Sequence, residues 1–176
     1  MKSLWNPGAI EKKLLQYLYV QIKWSYICAV KTSDSKYCKC LYFTANALAR
    51  KVERLALESW SKVNLSPSHA YLLMMVNDEP GVQPGELADH LQLQPSTITR
   101  LIEKLEQRKL VVRTTEGKLT NVYPTPKGRQ FQSKLRECLH EFYGRYSDIL
   151  GKEESSRMIR DMGRLADKLE FWFFFI

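Results

Sequence analysis

Between Gln83 and Lys127 the order of prolines, small residues and apolar residues leaves very few folds open. Pro84-Gly85-Glu86-Leu87-Ala88-Asp89-His90-Leu91 reads as a short helix, Gln92-Leu93-Gln94 as a tight link, and Pro95 through Leu105 as a second helix. Two helices on so short a link must cross steeply, which leaves the second standing proud of the surface. Leu87, Ala88 and Leu91 face Ile98, Leu101, Ile102 and Leu105, spaced i, i+3, i+4, i+7. Ala88 is small where the two backbones come closest. The opposite face of the second helix carries Ser96, Thr97, Thr99, Arg100, Glu103, Lys104 and Gln107. Hydroxyls, amides and cations on a projecting helix are the chemistry that reaches phosphates and base edges in a major groove.

A hairpin follows. Leu110-Val111-Val112-Arg113 predicts a strand, Thr115-Glu116-Gly117-Lys118 a turn, and Leu119-Thr120-Asn121-Val122-Tyr123 the returning strand. Directly after a recognition helix such a hairpin is a wing, and its Arg113 and Lys118 are placed to meet the DNA backbone or the flanking minor groove. Charge supports this reading. Residues 94–129 hold eight Lys or Arg against three Glu, net +5, and residues 1–40 hold seven Lys against Glu11 and Asp34, again +5. With +8 over the whole chain, the remainder is slightly acidic, so the basic strip is centred on the second helix and the wing.

Proline at the first helical turn sets the punctuation: Ser66-Pro67, Gln83-Pro84, Gln94-Pro95 and Thr125-Pro126 each open a helix. Outside the central module, one long helix is expected from about Cys40 to Ser61, with Leu41, Ala45, Leu48, Val52, Leu55 and Ser59 on one face. Another runs from Pro126, with Phe131, Leu135, Cys138, Phe142, Tyr146 and Ile149, and breaks near Gly151. A last helix carries Met158, Met162, Leu165, Leu169 and Trp172. One small domain cannot cover all these faces, so they are read as a helical dimer interface built from both ends of the chain. The expected fold is mainly α, an α+β winged helix. Its parts are an N-terminal extension (residues 1–37), a dimerisation helix (38–64), a winged helix-turn-helix (65–127) and C-terminal dimerisation helices (128–176).

The run Thr99-Arg100-Leu101-Ile102-Glu103-Lys104-Leu105, then Leu110-Val111, then Tyr123-Pro124-Thr125-Pro126-Lys127-Gly128, resembles the MarR family of bacterial transcription regulators. The resemblance spans roughly residues 38 to 170. Three positions depart from it. Gln92 stands where the family often has Gly, Gln94 where Ser or Thr usually starts the helix, and Glu116-Gly117-Lys118 where the wing tip has Asp-x-Arg. A left-handed non-glycine costs on the order of 1 kcal/mol, glutamine caps weakly, and lysine lacks the planar fork that suits a narrow groove. The resemblance implies a cytoplasmic homodimer, a repressor of transcription, bound to a pseudo-palindromic operator in double-stranded DNA. It implies DNA contacts from Ser96, Thr97, Thr99, Arg100, Lys104, Arg113 and Lys118. It also implies release by a small, often aromatic effector held between the dimer helices and the winged domain. Trp60 and Tyr71 are candidates for lining that cleft and equally for plain core.

No enzymatic constellation stands out: no glycine-rich phosphate loop, no paired catalytic carboxylates and no nucleophile motif. His69, His90 and His140 lack ligand spacing, so neither a metal nor a cofactor is expected. Cys28, Cys38, Cys40 and Cys138 are too scattered for a disulfide framework. Cys38 and Cys40, at the start of a dimer helix, are the two thiols to consider for redox sensing. Residues 1–37 mix Trp5, Tyr17, Tyr19, Trp24, Tyr26 and Tyr37 with lysines, and the chain finishes Phe171-Trp172-Phe173-Phe174-Phe175-Ile176. The apolar run from Leu14 to Val30 is interrupted and too short to span a bilayer. These ends are expected to fold onto the dimerisation helices. Two alternative classes fit the same residues: a winged-helix protein-interaction module that binds no DNA, and a regulator held at a membrane surface by its N-terminal segment.

Overall fold

The computed structural model describes residues 30–117 and 119–173, and the chain divides between Lys51 and Val52 into two compact units. The expectations for the aromatic residues before Val30, for Cys28, for Lys118 and for the last three residues lie outside the described residues. In the first unit a 3-10 turn (Thr32–Asp34) and a second turn lead into helix α1, Leu41–Trp60, whose C-terminal half belongs to the second unit. There follow a 3-10 turn (Ser61–Val63), α2 (Pro67–Asp78), α3 (Pro84–Leu91), α4 (Pro95–Gln107), β1 (Val111–Glu116), β2 (Leu119–Pro124), α5 (Pro126–Gln130), α6 (Gln132–Leu150) and α7 (Lys152–Phe173). All four prolines singled out in the sequence occupy the first turn of a helix, where the missing N–H would have had no intrahelical partner.

The core of the second unit is one cluster. Trp60 from the end of α1, Leu72, Leu73 and Val76 from α2, Leu87 from α3, and Ile98, Ile102 and Leu105 from α4 meet Leu110, Val122 and Leu135. Each of these side chains is almost wholly withdrawn from water. Three-layer sharing of this kind lets helices of eight to thirteen residues persist, since isolated helices so short are marginal in water.

The hairpin is longer than the sequence suggested. Pairing starts at Val111↔Pro124 and continues past Arg113 through Thr114↔Asn121, Thr115↔Thr120 and Glu116↔Leu119. Thr114, Thr115 and Thr120 are β-branched and extend the ladder, so Thr115 and Glu116 are strand and not turn. The connection shrinks to Gly117-Lys118, with Gly117 at φ +62. Val82 bridges Val122 on the other edge of β2, which ties the loop before α3 to the base of the wing.

The helix expected to run unbroken from Pro126 to Gly151 is instead two. Phe131 N–H bonds the Gly128 carbonyl at 3.1 Å, an i→i−3 contact. Asn77 Nδ2, from outside the helix, also donates to that carbonyl at 3.2 Å. A foreign donor on one carbonyl is a recognised cause of a break in the helical ladder. Leu135, Cys138 and Phe142 are buried as the stripe requires, but Ile149 is exposed and leaves it. Gly151, at φ +84, ends α6. Along α7 every side chain described except Ser155 and Met158 is exposed, including Ile159, Met162, Leu165 and Leu169. Leu41, Leu48 and Val52 on α1 are exposed as well.

Candidate nucleic-acid interface

Helix α3 is fastened at both ends. At its start the Gln83 N–H donates to Glu86 Oε2 at 2.8 Å, which satisfies a donor the helix itself cannot. At its end Gln92 adopts the left-handed conformation (φ 52, ψ 46) with no glycine, the conformation implied by the glycine that the family often has there. Gln92 Nε2 donates to the Asp89 carbonyl at 2.8 Å, a local bond that offsets part of the strain. Leu93 N–H reaches the Ala88 carbonyl at 3.0 Å, and the chain turns into α4 within three residues. The start of α4 has no side-chain cap. The Gln94 carbonyl there accepts from both Thr97 N–H (2.8 Å) and Ile98 N–H (3.1 Å).

Helix α4 divides cleanly. Ile98, Leu101, Ile102 and Leu105 are buried beneath it, while Ser96, Thr97, Thr99, Arg100, Glu103, Lys104 and Gln107 are all exposed. The Thr99 hydroxyl donates to the Pro95 carbonyl at 3.0 Å, so toward an incoming ligand it presents an acceptor and a methyl group. Arg100 and Lys104, one turn apart on this face, form no ion pair among the described residues.

The wing base differs from that picture. Arg113 is engaged with Glu106 at the end of α4: Nη2 lies 2.6 Å from Oε2, and the Arg113 N–H donates to Oε1 at 3.1 Å. The bond to Glu106 holds the guanidinium pKa above its ordinary value. Arg113 therefore braces the wing against the helix. Sequence spacing gave no hint of this partner, because the chain reverses at Lys109 (φ 58) between the two residues. Lys127, counted in the basic strip, donates to the Arg108 carbonyl at 2.9 Å.

The motif Tyr123-Pro124-Thr125-Pro126-Lys127-Gly128 has a mechanical basis. Thr125 Oγ1 accepts from Gly128 N–H at 3.0 Å and donates to the Lys109 carbonyl at 2.7 Å, capping α5 while holding the exit of α4. Gly128 is buried against the Leu110 backbone, where a Cβ would sit 2.1 Å from the carbonyl oxygen.

Of the two aromatic candidates, Trp60 is fully buried. Its ring centroid lies 5.4 Å from Tyr71 and 5.5 Å from Phe142, and Tyr146 extends the cluster from Phe142 at 5.2 Å. Trp60 Nε1 is buried with no hydrogen-bond partner among the described residues. Tyr71 is half-buried, and desolvation, helped by Tyr143 and Tyr146, pushes its phenol up to about 12. Burial likewise raises the Cys138 thiol. Cys38 is partly exposed and Cys40 exposed, and neither is in a disulfide among the described residues. Among the described residues no cluster of His, Cys, Asp and Glu is able to hold a metal ion, and no helix is long and apolar enough to cross a membrane.

Comparison with known proteins agrees with this geometry. Residues 63–118 match the model of the MarR family. The HTH-type transcriptional repressor MdtR of Bacillus subtilis (strain 168) is 25% identical over 133 residues, covering 74% of this chain and 86% of MdtR. The transcriptional repressor CouR, solved bound to a 23-mer DNA duplex, superposes with a TM-score of 0.68 at 20% identity over 78% of this chain and 98% of CouR. The Staphylococcus aureus MepR–DNA complex gives 0.64 at 16% identity, covering 73% and 97% of the two chains. The matched segment begins at the close of the 3-10 turn after α1 and encloses α2, α3, α4 and β1. Residues 63–118 thus resemble the MarR family of transcription regulators in sequence, and the fold around them is that of solved winged-helix regulators.

Proposed function

We propose that this chain is a homodimeric, cytoplasmic repressor of transcription that binds a pseudo-palindromic operator in double-stranded DNA. The observation that carries this reading is the division of α4, with seven polar or charged residues exposed above a fully buried apolar stripe. In a two-fold dimer, a pair of such helices enters successive major grooves. Arg100, mid-helix and unpaired among the described residues, is the residue for bidentate contact with a guanine. Ser96, Thr97, Thr99 and Lys104 position the helix through phosphates and neighbouring bases, and Arg113 and Lys118 steady the flanks through the backbone.

Assembly follows from the exposed apolar rows on α1 and α7, since a stable monomer rarely leaves such rows in water. Repression is supported by the relatives, MdtR and CouR both being named repressors. CouR has also been solved with p-coumaroyl-CoA, which favours a small aromatic effector here. Trp60 is sealed in the core, so an effector that reached it would have to part the Trp60–Tyr71–Phe142 cluster.

Arg100→Ala tests the reading. Operator affinity should fall by about 1–3 kcal/mol, and preference at one base position in each half-site should relax. Wild-type affinity and selectivity in that variant would remove Arg100 from the base-reading role.

A further inference from the structure

The far end of α4 carries a cation, Arg108, whose side chain is engaged with the protein's own backbone. After α1, the 3-10 turn Ser61–Val63 closes at Asn64, which is left-handed (φ 52). Arg108, the residue that caps the C-terminus of α4, reaches this turn. Its Nη1 donates to the Asn64 carbonyl at 2.5 Å, and Nη2 lies 3.5 Å from the Val63 carbonyl. Two forked donors on adjacent carbonyls hold orientation in a way one ammonium cannot. The backbone of Arg108 is also fixed, because its carbonyl accepts from Lys127 Nζ.

The turn that Arg108 grips is itself braced from the other side. Lys62 pairs with Glu141 at 2.5 Å, and Arg145 bonds both Glu141 (2.9 Å) and Glu58 (3.3 Å). The end of α1, the body of α6 and the end of α4 therefore converge on residues 62–64. Exposed ion pairs of this kind contribute little to stability, so the arrangement's consequence is geometric.

We infer that Arg108 is a positioning residue for operator recognition: its guanidinium ties the C-terminal end of the recognition helix to the turn after α1 and so sets the angle at which Arg100 meets the groove, without touching DNA. The inference rests on the DNA-binding reading above. It differs from what the charge map suggests, in which Arg108 is one more phosphate contact in a basic strip. The two roles separate by chemistry. A phosphate contact is replaced by any cation and adds to the salt dependence of binding; a forked strut is not replaced by lysine and leaves that dependence alone.

The experiment selects an operator from a random duplex pool with the full wild-type chain. It then measures affinity for that operator and for a scrambled duplex over a salt series, for wild type, Arg108→Gln and Arg108→Lys. Sedimentation and thermal melting confirm that each variant is folded and assembled as wild type. Both variants should bind the operator about tenfold more weakly, the size of one lost base contact. The slope of log affinity against log salt should be unchanged, and binding to scrambled duplex should stay within about twofold. The strut is refuted if Arg108→Lys binds as wild type while Arg108→Gln loses about one unit of slope per subunit. It is equally refuted if both folded variants match wild type. Should the wild-type chain enrich no sequence, the DNA-binding reading itself fails and the strut falls with it.

Discussion

A Leu48→Glu, Val52→Glu double variant should sediment as a monomer or precipitate, and any soluble fraction should bind the operator about a hundredfold or more weakly than wild type. Both side chains are 37% exposed in the single chain and sit one helical turn apart on α1. In the proposed dimer two carboxylates there would meet an apolar surface and lose their hydration without gaining partners. In the proposed dimer, binding of one α4 would hold the second close to its half-site, and that effective concentration would supply most of the operator affinity. Separation should therefore weaken DNA binding although both residues lie on α1, outside α4 and the wing. Leu165 and Leu169 on α7 present the second exposed row, and glutamate at both positions should act in the same direction. A wild-type chain that is monomeric at micromolar concentration would overturn this part of the account.

Gly128→Ala should lower unfolding stability by about 2–3 kcal/mol, the usual consequence of forcing a methyl into a filled core. The added Cβ would lie 2.1 Å from the Leu110 carbonyl oxygen and 3.1 Å from its carbon, and backbone atoms cannot rotate aside as a side chain can. Relief requires α5 to move away from the start of the wing. That movement breaks the Thr125 N–H bond to Leu110 (3.0 Å) and the Asn77 bond to Gly128. Glycine is demanded here by proximity alone. Gly85, by contrast, has open space around it, and Gly85→Ala should leave the urea midpoint unchanged or slightly raised. Equal midpoints for the two variants would show that the Leu110 contact has slack.

The two families of contact explain what could be read from the chain alone. Helix starts were legible because proline and the apolar period are local signals, and the buried face of α4 follows directly from Ile98, Leu101, Ile102 and Leu105. Gln92 in the left-handed region was expected only through the family resemblance, which places glycine there. The end of β1 and the break at Phe131 were not. The first depends on cross-strand pairing of Thr114 and Thr115, the second on Asn77 from another helix. The same holds for Glu106 with Arg113 and for Arg108 with Asn64. In each case a cation counted as free in the sequence finds a partner only after the chain has reversed.

The central claim is that the exposed face of α4 reads DNA sequence. Its most direct test is the affinity of the full-length protein for its selected operator relative to a scrambled duplex, across a salt series. An operator preference of about a thousandfold or more is expected at physiological salt, with affinity for both duplexes falling as salt rises. Arg100→Ala should narrow the gap while the salt slope on scrambled duplex stays within about one unit of wild type. Equal affinity for the two duplexes at every salt concentration, or an operator preference that survives Arg100→Ala, Ser96→Ala and Lys104→Ala together, would contradict it.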